Sequence, residues 1–303
     1  MSLAPISLFT YIRVNSLKDT VSTLKKNFLA NESELHIFSD GSKNEDDLEQ
    51  VKLVREFLKS ISGFKTVTIY ESDKNNGLAN SIIEGTTKII NKHGKIIVLE
   101  DDLLTTPNFL NFMNDALNKY ESESRVFSIS GYSFNLGLDK VDINNDAYFL
   151  NRGWSWGWAT WAQRWQQIDW KVKDYKEFSN APKQRKLFSK GGSDLNAMLD
   201  KQMKGKLDSW AIRWFFYQFK LNGYTLYPYY SKVYYNGFDE YATHTNGSSA
   251  RYIPMLDKKH NTNFIFPSKI AINKNFQSKF QSKMGIMARI KSKVKTLFKK
   301  YIK

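Results

Sequence analysis

Apolar residues fall into two rhythms along the first hundred positions, and the two alternate. Ile6-Ser7-Leu8-Phe9-Thr10-Tyr11 reads as a strand, and from Ser16 to Phe28 the residues Leu17, Val21, Leu24 and Phe28 recur at helical spacing. Leu35-His36-Ile37-Phe38-Ser39 predicts a second strand, ending in the turn residues Asp40-Gly41-Ser42. Leu48 to Ile61 predicts a helix with Val51, Val54, Phe57, Leu58 and Ile61 on one face, and Thr66 to Tyr70 a β-branched strand. A third helix is expected from Gly77 to Ile90. Lys95-Ile96-Ile97-Val98-Leu99 then reads as a strand buried on both faces, because its apolar run does not alternate.

Strands alternating with helices predict an α/β fold with a mostly parallel sheet and helices on both faces. Ligands of such sheets sit outside the carboxyl ends of the strands. The polar clusters follow suit: Asp40 after the second strand, Asp73 to Gly77 after the third, Glu100-Asp101-Asp102 after the fourth. Beyond Pro107 the pattern predicts a helix over 108–120, a strand over 126–130, a helix over 209–221 and aromatic strands over 226–235. Residues 171–206 are polar and Lys-rich. The chain divides into a first half, 1–106, expected to bind a nucleotide; a second half of the same domain, 107–267, expected to bind an acceptor; and a tail, 268–303.

Composition sharpens this outline. The chain has 303 residues, 41% hydrophobic and 15% aromatic, which is enough for a substantial core. It has no cysteine, so disulfides, thiolate metal sites and cysteine nucleophiles are excluded. No run reaches the length of a membrane span. The net charge of +15 looks like a nucleic-acid signal until it is mapped. Residues 258–303 hold 13 Lys or Arg and no Asp or Glu, so the body carries only +2. In the tail Met287, Ile290, Val294, Leu297 and Tyr301 fall at helical spacing between lysines. A basic amphipathic helix of this kind suits an anionic membrane surface, with a solvated tail or a nucleic-acid arm as the alternatives. A membrane partner is expected over nucleic acid, and the expected location is cytoplasmic, peripheral on the inner face of the cytoplasmic membrane.

The chemistry concentrates in the acidic triplet. Three adjacent carboxylates at the end of a buried strand repel one another and are poorly solvated, a conflict that bound Mn²⁺ or Mg²⁺ resolves while leaving positions for substrate phosphates. A solvated turn or a helix N-terminus would also take such acids. His244 is a candidate further ligand, or an exposed loop histidine. Asp208, at the head of the helix predicted over 209–221, is either an N-cap or a general base for an acceptor hydroxyl. Six of the eight tryptophans crowd into residues 151–170. Their faces can stack on sugars or bases, or pack a core. Glycine-rich dinucleotide and P-loop motifs and the Gly-x-Ser-x-Gly elbow are absent from the sequence.

In this order the motifs resemble those of GT-A glycosyltransferases. Phe9-Thr10-Tyr11-Ile12-Arg13 resembles their first strand and turn, and Ser39-Asp40-Gly41-Ser42 the end of their second strand. Asn75-Asn76-Gly77-Leu78-Ala79-Asn80 resembles the loop into the third helix. Glu100-Asp101-Asp102 stands where their Asp-x-Asp metal motif stands, closest in form to the Glu-Asp-Asp variant of Golgi N-acetylglucosaminyltransferases. The segment Arg152 to Trp165 resembles a signature of related bacterial surface-polysaccharide sugar transferases.

The resemblance covers residues 4–245 and implies an inverting transfer from a nucleotide-diphosphate sugar, UDP-linked. The acceptor would be a hydroxyl of a glycan or lipid-linked intermediate in capsule, O-antigen or similar assembly. Asp102 and His244 would hold the metal and Asp208 would be the base. Thr10, Arg13, Asp40, Asn76, Gly77, Glu100, Asp101 and Trp156 would contact the nucleotide sugar. Glu in the first motif position leaves Glu100 free to face ribose or sugar instead of metal. A nucleotidyl- or phosphotransferase with the same acidic site, or a non-catalytic carbohydrate- or nucleic-acid-binding protein, are the competing readings.

Overall fold

Four strands and three helices build the first half in strict alternation: β1 (Ile6–Thr10), α1 (Val14–Lys25), β2 (Glu34–Ser39), α2 (Leu48–Lys59), β3 (Thr66–Glu71), α3 (Leu78–His93) and β4 (Lys95–Glu100). This is a computed structural model that describes residues 2–137, 144–237, 249–291 and 294. The second half adds β5 (Leu103–Thr105), α4 (Phe109–Lys119), β6 (Val126–Ser130), β7 (Ala147–Leu150), β8 (Trp158–Trp161) and α5 (Ala162–Trp165). Then come α6 (Tyr175–Ser179), α7 (Pro182–Phe188), α8 (Leu195–Met203), α9 (Trp210–Lys220), β9 (Tyr224–Pro228), β10 (Val233–Tyr235) and α10 (Lys274–Met284).

Eight strands form one sheet in the order β3-β2-β1-β4-β8-β6-β9-β7, and β10 pairs with β5 in a small second sheet. The β3-β2-β1-β4 half is wholly parallel. β8 and β7 run against the other strands. The expected mostly parallel α/β sheet is what forms. Its two halves share one sheet, because β8 pairs with β4 in antiparallel register, Ile97 opposite Ala159.

Both faces of the sheet are covered. In β4, Ile97 and Leu99 point into the core beneath α1 and α4, while Ile96 and Val98 point into the core beneath α3 and α9. A strand with no solvated face needs no polar alternation, which is why its sequence is a continuous apolar run. β3 lies at the edge, where its residues are only partly buried.

Most of the tryptophan-rich segment is core. Trp158, Trp161 and Trp165 are buried on β8 and α5, and Trp158, Trp165, Trp210 and Trp214 form one packed cluster. The tail begins later than its composition suggests. Within α10, Phe276, Phe280 and Met284 are buried in the core, with Phe276 against Tyr148 and Phe280 against Phe134. Beyond α10 the exposed large apolar residues are Ile286, Met287, Ile290 and Val294. Leu297 and Tyr301 lie outside the described residues.

Candidate active site

Chain topology brings the polar clusters together. β1 is hydrogen-bonded on one side to β2 and on the other to β4, with Thr10 opposite Ser39 and Phe9 opposite Glu100. The chain runs outward from β1 to β3 and returns to β4, so the crevice between β1 and β4 is the topological switch point where such sheets bind ligands. Thr10, Arg13 and the acidic triplet line it.

Asp101 is 4% exposed and heavily held. Its Oδ2 accepts from Thr10 Oγ1 at 2.9 Å and from the Tyr11 backbone N–H at 3.3 Å, and its Oδ1 from Arg13 Nη2 at 2.7 Å. The same Arg13 nitrogen donates to Asp102 Oδ2 at 2.8 Å. Three acids with one guanidinium leave a charge of −2 when all are ionised. Burial pushes Asp102 up to about 6, with Arg13 pulling down against it and Asp101 pushing further up. Burial, then the charges of Asp102 and Asp101, push Glu100 up to about 8. Thr10 and Arg13, expected to touch the nucleotide, are thus also the groups that position the acids.

A glycine guards the far side of Asp102. β10 pairs with β5 so that Tyr235 faces Leu103, and the Asn236 N–H donates to the Asp102 carbonyl at 2.9 Å. A Cβ on Gly237 would lie 2.3 Å from Asp102 Oδ2, so only glycine lets the backbone come this close to the carboxylate. Tyr235 Oη donates to the Gly237 carbonyl at 2.8 Å, and Trp156 stacks on the Tyr235 ring at 4.2 Å and 2°. Trp156, expected at the donor, supports the segment that covers Asp102. Gly237 and Tyr235 went unassigned in the sequence, since nothing local marks a residue that packs on an acid 135 positions earlier.

Asp40 organises the neighbouring loop. Its carboxylate accepts from the backbone N–H groups of Gly41, Asn76 and Gly77 at 2.9–3.2 Å. Gly77 has φ +78°, which a side chain would resist, and it leads into α3. Asn76 donates from its amide to Ser72 Oγ at 2.9 Å. Asp208 comes to the same place: a Cβ at Gly77 would lie 3.8 Å from Asp208 Oδ2. Asp208 is not the N-cap of α9. Ser209 is, with extended backbone angles of φ −134° and ψ 112° and its hydroxyl accepting from the Ile212 N–H at 3.3 Å. The Asp208 carboxylate is exposed and stands 3.7 Å from Arg213 Nη2. His244 lies outside the described residues.

The acidic residues suit a divalent cation in a particular way. Among the described residues, the triplet does not gather three carboxylate oxygens within 4.8 Å of one another. It is not a closed cage. More carboxylates than the single guanidinium can neutralise, raised carboxyl pKa values and a buried Asp102 beside a glycine fit an ion held by few protein oxygens, with positions left for phosphates.

No known protein-family profile matches the chain. No curated protein sequence matches it. Among solved structures, a Pyrobaculum calidifontis mannosyltransferase in complex with GDP-Man and Mn²⁺ matches at TM-score 0.37 and 10% identity, over 53% of this chain and 45% of that one. GalNAc-T7 with UDP, GalNAc and Mn²⁺ matches at 0.43 and 14%, over 75% and 42%. S. aureus TarS matches at 0.29 and 11%, over 42% and 21%. This chain therefore spans less than half the length of each. Scores at this level do not carry function from those proteins to this one.

Proposed function

We propose that the protein is a metal-dependent, GT-A-type glycosyltransferase that moves a sugar from a nucleotide-diphosphate donor to a hydroxyl acceptor. The observation that carries this reading is the acidic triplet at the β1–β4 switch point, charge-deficient and flanked by the loop that Asp40 fixes. Asp102 would hold Mn²⁺ or Mg²⁺, with His244 as a further ligand. The metal, when bound, supplies Lewis-acid neutralisation of the leaving diphosphate.

The remaining work falls to the chain's own residues. Asp101 is anchored by Thr10 and Arg13 and keeps the site rigid. Glu100 would face a ribose or sugar hydroxyl of the donor rather than the metal. Asn76 and Gly77 lead into α3 with their own N–H groups held by Asp40, so it is the first-turn N–H groups of the helix that would favour a diphosphate. Asp208 takes the proton of the acceptor hydroxyl as its oxygen bonds to the anomeric carbon and the bond to the diphosphate oxygen breaks. A direct displacement of this kind inverts the anomeric centre. The products are the glycosylated acceptor and the nucleoside diphosphate. A UDP-linked donor and a surface-polysaccharide acceptor follow from the sequence resemblance.

The test is turnover of a panel of nucleotide sugars with and without Mn²⁺, by wild type and Asp208→Asn. Wild type should release nucleoside diphosphate and transfer sugar only with metal. Asp208→Asn should lose about 10²- to 10⁴-fold in kcat with its melting temperature unchanged. Transfer of a nucleotidyl or phosphoryl group instead of sugar would overturn the reading.

The exposed face of Ile286, Met287, Ile290 and Val294, on a lysine-rich segment, supports docking to an anionic membrane. No helix among the described residues is long and apolar enough to cross one. Deleting residues 286–303 should leave α10 in place, at the cost of the Arg289–Asp194 contact at 3.4 Å, and release the protein from anionic lipid vesicles in a sedimentation assay. Co-sedimentation at the wild-type level would count against the tail.

A further inference from the structure

A second cluster of ligating side chains lies at the opposite end of the sheet from the triplet. Glu34 opens β2 and His36 follows two residues later, on the same face of the strand. His93 is the last residue of α3. One ligand atom from each of the three lies within 4.8 Å of the other two. His36 Nε2 is 3.9 Å from Glu34 Oε2, and the two imidazole rings are 5.8 Å apart.

His36 is 5% exposed, yet its Nε2 has no hydrogen-bond partner, and neither has the buried Nε2 of His93. Two orphaned ring nitrogens in one place are costly for a fold that could have filled the space with apolar side chains. The other nitrogen of His36 is accounted for: Nδ1 lies 3.4 Å from the Tyr70 hydroxyl. In the tautomer whose Nδ1–H donates to Tyr70, the Nε2 lone pair is left bare beside Glu34 and His93, the outer-sphere arrangement of metal-bound histidines.

We propose that Glu34, His36 and His93 form a binding site for a transition-metal ion of the Zn²⁺ class, with a fourth position open to water. Two imidazoles and one carboxylate select such ions over Mg²⁺ or Ca²⁺, which prefer all-oxygen surroundings. Tetrahedral Zn²⁺ with bonds of about 2.0–2.2 Å brings its ligand atoms to about 3.4 Å from one another, so the side chains close in by a small rotation. Glu34 has the freedom to do so, being partly exposed and held by Lys65 Nζ at 3.4 Å.

The position gives the ion a structural task. Near one end of β2 and α3, Asp40 bonds the loop that opens α3; near the other ends of both, the ion would tie His93 to His36. It would clamp the helix that presents Asn76 and Gly77.

The experiment is Zn²⁺ titration of chelator-treated full-length protein by calorimetry, with Co²⁺ absorption as a second readout. One Zn²⁺ should bind per chain with a dissociation constant in the micromolar range or below, and excess Mg²⁺ should not displace it. His93→Gln and Glu34→Gln should each weaken binding at least tenfold and bleach the Co²⁺ d–d bands, while Asp102→Ala leaves both unchanged. His93 and Glu34 are chosen because His36 is packed in the sheet. Equal Zn²⁺ affinity in wild type, His93→Gln and Glu34→Gln, or no Zn²⁺ binding by wild type, would overturn the proposal and leave the proposed transferase reaction untouched.

Discussion

Asp102→Ala is expected to lower metal-dependent turnover by about 10³-fold or more, the loss of roughly 4 kcal/mol of charge stabilisation at the leaving diphosphate. The same variant should not melt lower than wild type without metal. It removes one of three crowded acids while Arg13 keeps its bond to Asp101 at 2.7 Å. Kinetics and thermal unfolding together check this. Full activity in Asp102→Ala would remove the proposed mechanism.

The pH dependence of the site has a definite sign. Glu100 and Asp102 sit at about 8 and about 6, above their ordinary values of 4.5 and 3.8. Between the ordinary and the raised values the folded chain binds more protons than the unfolded one. Metal-free stability contributed by these groups is therefore present at low pH and lost as pH rises through about 6 and then about 8. Cation binding requires the charged forms, so the Mn²⁺-induced rise in melting temperature should be larger at pH 8 than at pH 6. In Asp102→Ala that difference should shrink.

Asp194→Ala should cost stability more than any surface change. Asp194 and Arg152 form a buried pair, with side chains 8% and 4% exposed and bonds of 2.8 and 3.0 Å. Burial disfavours the Asp194 charge, but Arg152 outweighs it and holds the carboxyl below its ordinary range. Removing the acid strands a guanidinium packed over Trp154 and Phe215. Breaking such a pair costs about 3–5 kcal/mol, which for a domain of this size corresponds to a drop of about 10 °C in the unfolding midpoint. The double change Arg152→Met with Asp194→Leu should recover most of the loss. A single variant that melts like wild type would show that the pair contributes nothing net.

The parallel half was legible in the sequence because its physics is local. Ile96 to Leu99 is buried on both faces and reads as an unbroken apolar run. Leu17, Val21 and Leu24 stripe one helix. The triplet could be placed because it follows a strand whose carboxyl end must face the switch point. The second half was less legible. β8 is four residues, Trp158 to Trp161, with no alternation, and aromatic bulk alone does not say strand. α6, α7 and α8 lie in the Lys-rich stretch 171–206, where short, polar helices get their stability from tertiary contacts such as the Arg185–Asp200 pair at 2.8 Å. Asp208 read as either a cap or a base, since the sequence offers two capping residues in a row, and only backbone geometry chooses Ser209 as the cap. The burial of Phe276 and Phe280 under a basic composition was hidden for the same reason, since charge counts do not show which face of a helix is turned inward.

The tryptophan cluster gives the protein an optical signature. Trp158 and Trp214 have ring centroids 4.4 Å apart, and Trp210 and Trp165 lie 5.3 and 6.3 Å from Trp214. Indoles this close share their excited states, so the native chain should show an intense, structured near-ultraviolet dichroism that vanishes when the cluster separates. Trp156 lies outside that cluster, edge-on to Trp154 at 5.3 Å and stacked on Tyr235, beside the backbone that touches Asp102. Loss of that dichroism therefore reports directly on separation of the core packed between β8, α5 and α9, in natural tryptophan.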